Sequence, residues 1–329
     1  VARALVYGLV AALLLAVPRL FADPYFLHIA IYITINVMLV SGLNLLVGYM
    51  GLLSLGHGAF WGLGAYASGL LAVRLGVSFW LGLPAGGLLA ALLSLLLGAL
   101  ILGVRGHRFV IITLAFLEIV RLVHYNWVSL TNGQNGLSGI PSPVLAIPGL
   151  FEISFFPKEH FYYLALAFAA FTVLVCYRLV HSRVGRALVA IRENENLAES
   201  VGVNTFRFSM IAFAVGAFFA GLAGSLYAHY SRYVSPDMFE FIHIVEMLIM
   251  ILMGGRGTIL GPVVGAVIFT ALPESLRFVG LSPAAQWITL GLILLTGILY
   301  IPEGIVPRVE RHLGRRRAAV RAAATESPA

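Results

Sequence analysis

Ser182-Arg-Val-Gly-Arg-Ala-Leu-Val-Ala-Ile-Arg-Glu-Asn-Glu-Asn-Leu-Ala-Glu-Ser-Val-Gly-Val-Asn-Thr-Phe-Arg207 lies between two apolar runs, 161–180 and 208–230. It carries four arginines and three glutamates in a chain of which only 11% is charged. Runs of about 20 apolar residues are what a helix needs to cross the hydrocarbon core of a bilayer. Polar residues this dense between two such runs must sit in water or against another protein. The alternation of apolar and charged positions within the stretch predicts one or two short amphipathic helices. A membrane chain that holds out a helical knob offers it to a soluble partner.

The same pattern of long apolar runs extends over most of the 329 residues. Hydrophobic residues make up 60% of the chain and mean hydropathy is +0.96, whereas about half apolar is normal for a soluble domain. The runs are continuous rather than alternating over about ten residues, which excludes a transmembrane barrel. The fold class is therefore all-α, a polytopic integral membrane helix bundle. About ten crossings are expected, at 4–20, 25–47, 60–73, 79–102, 109–128, 161–180, 208–230, 241–253, 262–272 and 284–300. The third, eighth and ninth are short enough for broken or re-entrant segments, which gives a range of eight to ten. The run behind Arg3 leads straight into further spans, so it reads as a first membrane helix rather than a secretory leader. Residues 1–307 form one transmembrane domain, and 308–329 form a basic tail that is partly disordered. Cys176 is the only cysteine, so no internal disulfide is possible.

Net charge is +7 and comes from arginine, since Lys158 is the only lysine. Arg105 and Arg108, then Arg183, Arg186, Arg192 and Arg207, then Arg308, Arg311, Arg315, Arg316, Arg317 and Arg321 fall on one side under the ten-span count. By the positive-inside rule that side is the cytoplasm, which places both termini inside. The arginines flank spans and form no basic patch interleaved with aromatics, so nucleic acid is not an expected partner, whereas membrane lipid is. The segment 131–160 falls on the opposite face, is rich in Gly, Pro and Asn, and suits a cap over a pathway.

Two glycine-rich interruptions stand out, Gly48-Tyr-Met-Gly-Leu-Leu-Ser-Leu-Gly-His-Gly58 and Gly254-Gly-Arg-Gly-Thr-Ile-Leu-Gly-Pro262. Both are expected on the inner side, either as tight turns or as broken helices lining a cavity. Ionisable residues inside spans cost roughly 2.5–3.5 kcal/mol on insertion scales, so each needs a reason. Glu118 and Arg121 share a helical face, as a pathway lining or as a buried ion pair that fixes helix packing. Glu246 has no partner evident in its own helix and is expected to face the bundle interior. Asn36, Ser41 and Asn44 form a polar strip suited to hydrogen bonds with a neighbouring helix. His229 and His243 read as interfacial rather than as ligands. Small residues mark smooth packing faces at Gly216, Ala220 and Gly224, at Ala217, Gly221 and Ser225, and at Gly58, Gly62, Gly64, Ser68 and Gly69.

Chemistry-bearing motifs are missing. The chain has no phosphate loop, no His-Glu-x-x-His and no paired cysteines, so no catalytic residue, metal or cofactor is expected. Any ATP must be bound by another chain.

Several segments carry a family resemblance. They are Gly106-His-Arg-Phe-Val-Ile-Ile-Thr-Leu-Ala-Phe-Leu-Glu-Ile-Val-Arg121, Asn126-Trp, Leu130-Thr-Asn-Gly-Gln-Asn-Gly-Leu-Ser-Gly-Ile-Pro141 and Arg183-Val-Gly-Arg-Ala-Leu-Val-Ala-Ile-Arg-Glu-Asn-Glu195. Ala220-Gly-Leu-Ala-Gly-Ser-Leu-Tyr227, Ser235-Pro, Gly254-Gly-Arg-Gly-Thr258 and Leu272-Pro-Glu274 complete the set. In order and spacing they resemble the branched-chain amino acid ABC permeases of the LivM type, over about residues 32 to 307. The resemblance implies a second, LivH-like permease subunit, two ATP-binding-cassette ATPase subunits beneath, and an external substrate-binding protein. It also implies a bacterial or archaeal cytoplasmic membrane.

The loop 181–207 then becomes the element that couples to the ATPase, through Arg183, Arg186, Arg192, Glu193, Glu195, Ala198, Glu199 and Gly202. The family's Glu-Ala-Ala-x-x-x-Gly signature is matched here only at Ala198 and Gly202, within Asn196-Leu-Ala-Glu-Ser-Val-Gly202. Asn44, Glu118, Arg121 and Glu246 are the polar candidates for the pathway. The cargo is a branched-chain amino acid, another small amino acid, or urea or a short amide. Two rival readings are a secondary transporter with Glu118, Arg121 and Glu246 as an ion relay, and an intramembrane enzyme using His57, His229 or His243 with Glu246. No nucleophile–base motif joins the latter residues.

Overall fold

A computed structural model describes residues 12–20, 23–104, 106–147, 151–278, 280, 282–300 and 303–312. Its helices are α1 (12–20), α2 (Pro24–Asn44), α3 (His57–Leu75), α4 (Phe79–Ile101), α5 (His107–Asn126), the single turn α6 (Val128–Thr131) and α7 (Lys158–Val180). They continue with α8 (Arg183–Glu193), α9 (Glu195–Ser200), α10 (Thr205–Ser231), α11 (Phe241–Gly254), α12 (Gly261–Phe278), α13 (Pro283–Tyr300) and α14 (305–312). Residues 4–11 of the expected first span, Arg105 and the tail beyond residue 312 lie outside the described residues.

Among the described residues, five helices are long and apolar enough to cross a membrane: α2 with its extension to Met50, α4, α5, α7 and α10. The third and ninth expected spans are longer than hydropathy suggested, because the glycine-rich start of α3 at His57 stays helical and α12 continues through Pro273 to Phe278. Only α11 remains short, with 14 residues, about 21 Å long against a hydrocarbon core of about 30 Å.

α2 starts cleanly, with Asp23 accepting from Tyr25 N and Pro24 in the first turn. Its apolar residues run all round, as suits a helix at the centre of a bundle. It packs against α7, α10, α11 and α12, and α10 packs against α2, α3 and α4. The small-residue faces make this crowding possible. A Cβ on Gly64 of α3 would lie 2.2 Å from the carbonyl oxygen of Gly221 in α10, so the two backbones touch where any side chain would part them. Ser225 Oγ in α10 donates to Gly64 O at 3.1 Å across the same seam. α4 joins through Gly82, Gly86 and Gly87, whose missing side chains leave room for Ser68, Gly64 and Leu222.

The bundle is helical as expected, with a small addition. Four short strands fold over the ends of α3, α4 and α10: β1 (Leu137–Ser138) pairs antiparallel with β4 (Tyr233–Val234), and β2 (Val144–Ile147) with β3 (Phe151–Ser154). Away from helices the backbone still needs hydrogen-bond partners, and these ladders supply them. The cover is pinned from below. His229 Nδ1 lies 2.7 Å from Pro141 O and its Nε2 lies 2.9 Å from Ser68 Oγ, while Trp80 Nε1 donates to Val144 O at 2.9 Å. His229 is thus a buried brace, which corrects its reading as an interfacial residue.

Candidate functional site

At the other end of the bundle the stretch after residue 180 folds into two short helices, as the alternation predicted. Side-chain caps punctuate it. Ser182 Oγ accepts from Val184 N to start α8, Asn194 Oδ1 from Leu197 N to start α9, and Asn204 Oδ1 from Arg207 N to start α10. α8 buries Gly185, Ala187, Leu188 and Ile191 against α7, α10 and the end of α2, leaving Arg183 and Arg186 exposed. α9 ends in a Schellman turn: Val203 N bonds Ala198 O at 3.0 Å and Gly202 N bonds Glu199 O at 2.9 Å, with Gly202 in the left-handed region that glycine enters freely.

This accounts for the two signature positions that match. Ala198 is buried and Gly202 closes the turn, so both act on the shape of the knob. Glu199 turns back to accept from Thr205 Oγ1 at 2.6 Å, Glu195 lies in the first turn of α9, and Glu193 pairs with Arg192. The outer surface is instead tipped by Leu197 and Val201, 62% and 73% exposed. These two apolar residues, four apart in a polar loop, are the signal the charge-centred reading passed over.

Beneath the knob the two glycine-rich interruptions meet. α2 runs on as a π-helical turn, Leu45–Met50, and then extends to the start of α3. Asn44 Oδ1 accepts from Gly257 N at 3.0 Å, and Asn44 Nδ2 donates to Thr258 O at 2.9 Å. A Cβ on Gly48 would sit 2.4 Å from Gly257 N. The interruptions are therefore turns packed against protein, and Asn44 is the clamp between them. Asn36 likewise donates to Thr270 Oγ1 at 3.0 Å, while Ser41 Oγ is buried with no hydrogen-bond partner among the described residues.

The remaining intramembrane candidates are spread over two helices. Glu118 and Arg121 form an ion pair on α5, with Nε 3.0 Å from each carboxylate oxygen, and both are partly exposed. Glu246 is corrected: it has a partner in its own helix, His243, whose Nδ1 lies 3.1 Å from Glu246 Oε2. The His243 ring stands edge-on to Trp61 at 5.6 Å, which joins α11 to α3. His57 is fully buried, with Nε2 3.1 Å from Leu39 O, and the three histidines proposed for an enzyme are each held by different partners.

Apolar helices of spanning length, packed on small-residue seams, define an integral membrane helix bundle. Residues 25–300 match the family described as branched-chain amino acid transport system / permease component, and the chain belongs to that family. It is 33% identical to the high-affinity branched-chain amino acid transport system permease protein LivM of Escherichia coli (strain K12), over 95% of this chain and 77% of that one. The LivM of Salmonella typhimurium is also 33% identical, over 87% of this chain and 71% of its own length. The corresponding LivH of Escherichia coli (strain K12) is 30% identical over 44% of this chain and 45% of its own. No solved structure matches significantly.

Proposed function

We propose that this chain is a transmembrane permease subunit of an ATP-driven importer, moving branched-chain amino acids inward across a bacterial or archaeal cytoplasmic membrane. It crosses the membrane ten times with both termini in the cytoplasm. A LivH-like subunit completes the pathway, two ATPase subunits dock below, and an external binding protein delivers the cargo. The observation that carries this reading is the capped α8–α9 knob, whose exposed Leu197 and Val201 project from the arginine-rich end of the bundle. Exposed aliphatic residues on a water-facing projection fit an apolar pocket of a soluble partner. ATP binding then draws two such knobs together, and the spans switch between outward and inward openings as packed bodies.

The test is reconstitution with the cognate partner subunits in proteoliposomes. Leu197→Glu with Val201→Glu is expected to weaken capture of the ATPase at least about tenfold, equivalent to about 1.4 kcal/mol, and to abolish ATP-driven leucine uptake. Uptake that persists in this variant and follows an imposed proton gradient would sink the proposal in favour of a secondary transporter.

A further inference from the structure

Arg192 was grouped by sequence with the residues that meet the partner, but its side chain turns inward. Nη1 donates to Gly48 O at 2.9 Å, while Nε and Nη2 hold Glu193 Oε1 at 3.2 and 2.8 Å. The aliphatic stem lies across Gly51, where a Cβ would come within 2.7 Å of Arg192 Cγ. The guanidinium reaches the second interruption too, because a Cβ on Gly257 would lie 3.0 Å from Nη1. Gly51 and Gly257 both take positive φ, at +74° and +71°. Both sites therefore combine a backbone that disfavours L side chains with close approach of the same arginine.

From Arg192 the contacts run on through Gly48 and Gly257 to the Asn44 clamp. Arg192 thus bonds α8 directly to the α2–α3 junction at Gly48 and lies against the α11–α12 junction at Gly257. Lysine donates all three of its N–H bonds from one atom and does not reproduce the separated edges with which Arg192 meets Gly48 O and Glu193.

We infer that Arg192 is a positioning residue that carries displacement of the α8–α9 knob to both glycine junctions, so that partner movement opens and closes the pathway. It does not itself bind the partner; Leu197 and Val201 do. The inference rests on the reading of the chain as an ATP-driven permease, and the two fail in different ways.

The experiment measures ATP hydrolysed per leucine transported by the complete reconstituted complex, alongside recovery of the ATPase with the permease. Arg192→Gln is expected to assemble and hydrolyse ATP while uptake falls, raising the ratio at least about tenfold. An assembled Arg192→Gln complex with the parental ratio overturns the inference. If Arg192→Gln does not assemble, Arg192→Lys decides by the same ratio: raised supports the inference, unchanged overturns it. Unaltered ATPase capture and uptake in the Leu197→Glu/Val201→Glu variant would instead overturn the docking reading on which the inference stands.

Discussion

Gly202 turns the chain from α9 into α10 with φ +87° and nothing within 4 Å of the position a Cβ would take. A side chain there meets no neighbour, so its cost is purely one of backbone. Gly202→Ala is expected to destabilise the turn by about 1–2 kcal/mol, and Gly202→Asn by less. Hydrogen exchange of the amides at 197–204 in the assembled complex should rise for Ala and less for Asn. Exchange unchanged in the Ala variant would mean that the left-handed residue does not hold the knob. At this scale Ser182, Asn194, Asn204 and Gly202 are of residue types that cap helices and turn chains, a signal that the charge-centred reading of the loop did not use. The sequence was uninformative where the partner is distant in the chain. Arg192 follows buried Ile191 in a polar loop, and nothing in that spacing tells that its carbonyl partner is Gly48. The His243–Glu246 pair was visible at i, i+3, but a histidine does not register as the partner of a carboxylate when only arginine and lysine are matched to acids.

Among the elements, α5 is a candidate span that carries an ion pair within it. It buries Phe109, Thr113, Leu117 and Val120 and leaves Ile111, Ile119 and Leu122 exposed, with the Glu118–Arg121 pair between these faces. An ion pair in a low-dielectric setting is costly to break and cheap to remove whole. Glu118→Gln and Arg121→Gln should each lower the melting temperature of the purified complex more than the double variant does. Additive losses would show instead that the two charges act independently. The long helices were legible because continuous apolar runs leave few alternatives. The strands were not: pairs of two and four residues are too short for an alternation to be read, and β1 meets β4 only after α7 to α10 have intervened. The start of α3 was hidden by glycine, whose weak helix propensity is overridden here by close packing, and the end of α12 by Pro273 and the polar residues after it.

Over the whole molecule the two ends differ in construction. One is closed by strand ladders braced on His229; the other gathers the knob, both glycine junctions and Asn44 around Arg192. Hydropathy and arginine placement separated these ends correctly in outline, but the convergence of residues 48, 192 and 257 is a property of the folded bundle alone. Between the ends runs the seam where Gly64 meets Gly221. Its consequence reaches back to synthesis. α3 and α4 leave the ribosome more than a hundred residues before α10, so even when packed on each other they leave open the faces that residues 205–231 cover. Nascent chains arrested before residue 205 should therefore remain on the insertion machinery and be cleared by membrane proteases, while chains arrested past 240 should be released and persist. Pulse–chase of both sets checks this; equal survival would mean that the early helices mature alone. On this view the smooth face of α10 sets the moment at which the growing polypeptide becomes a protein.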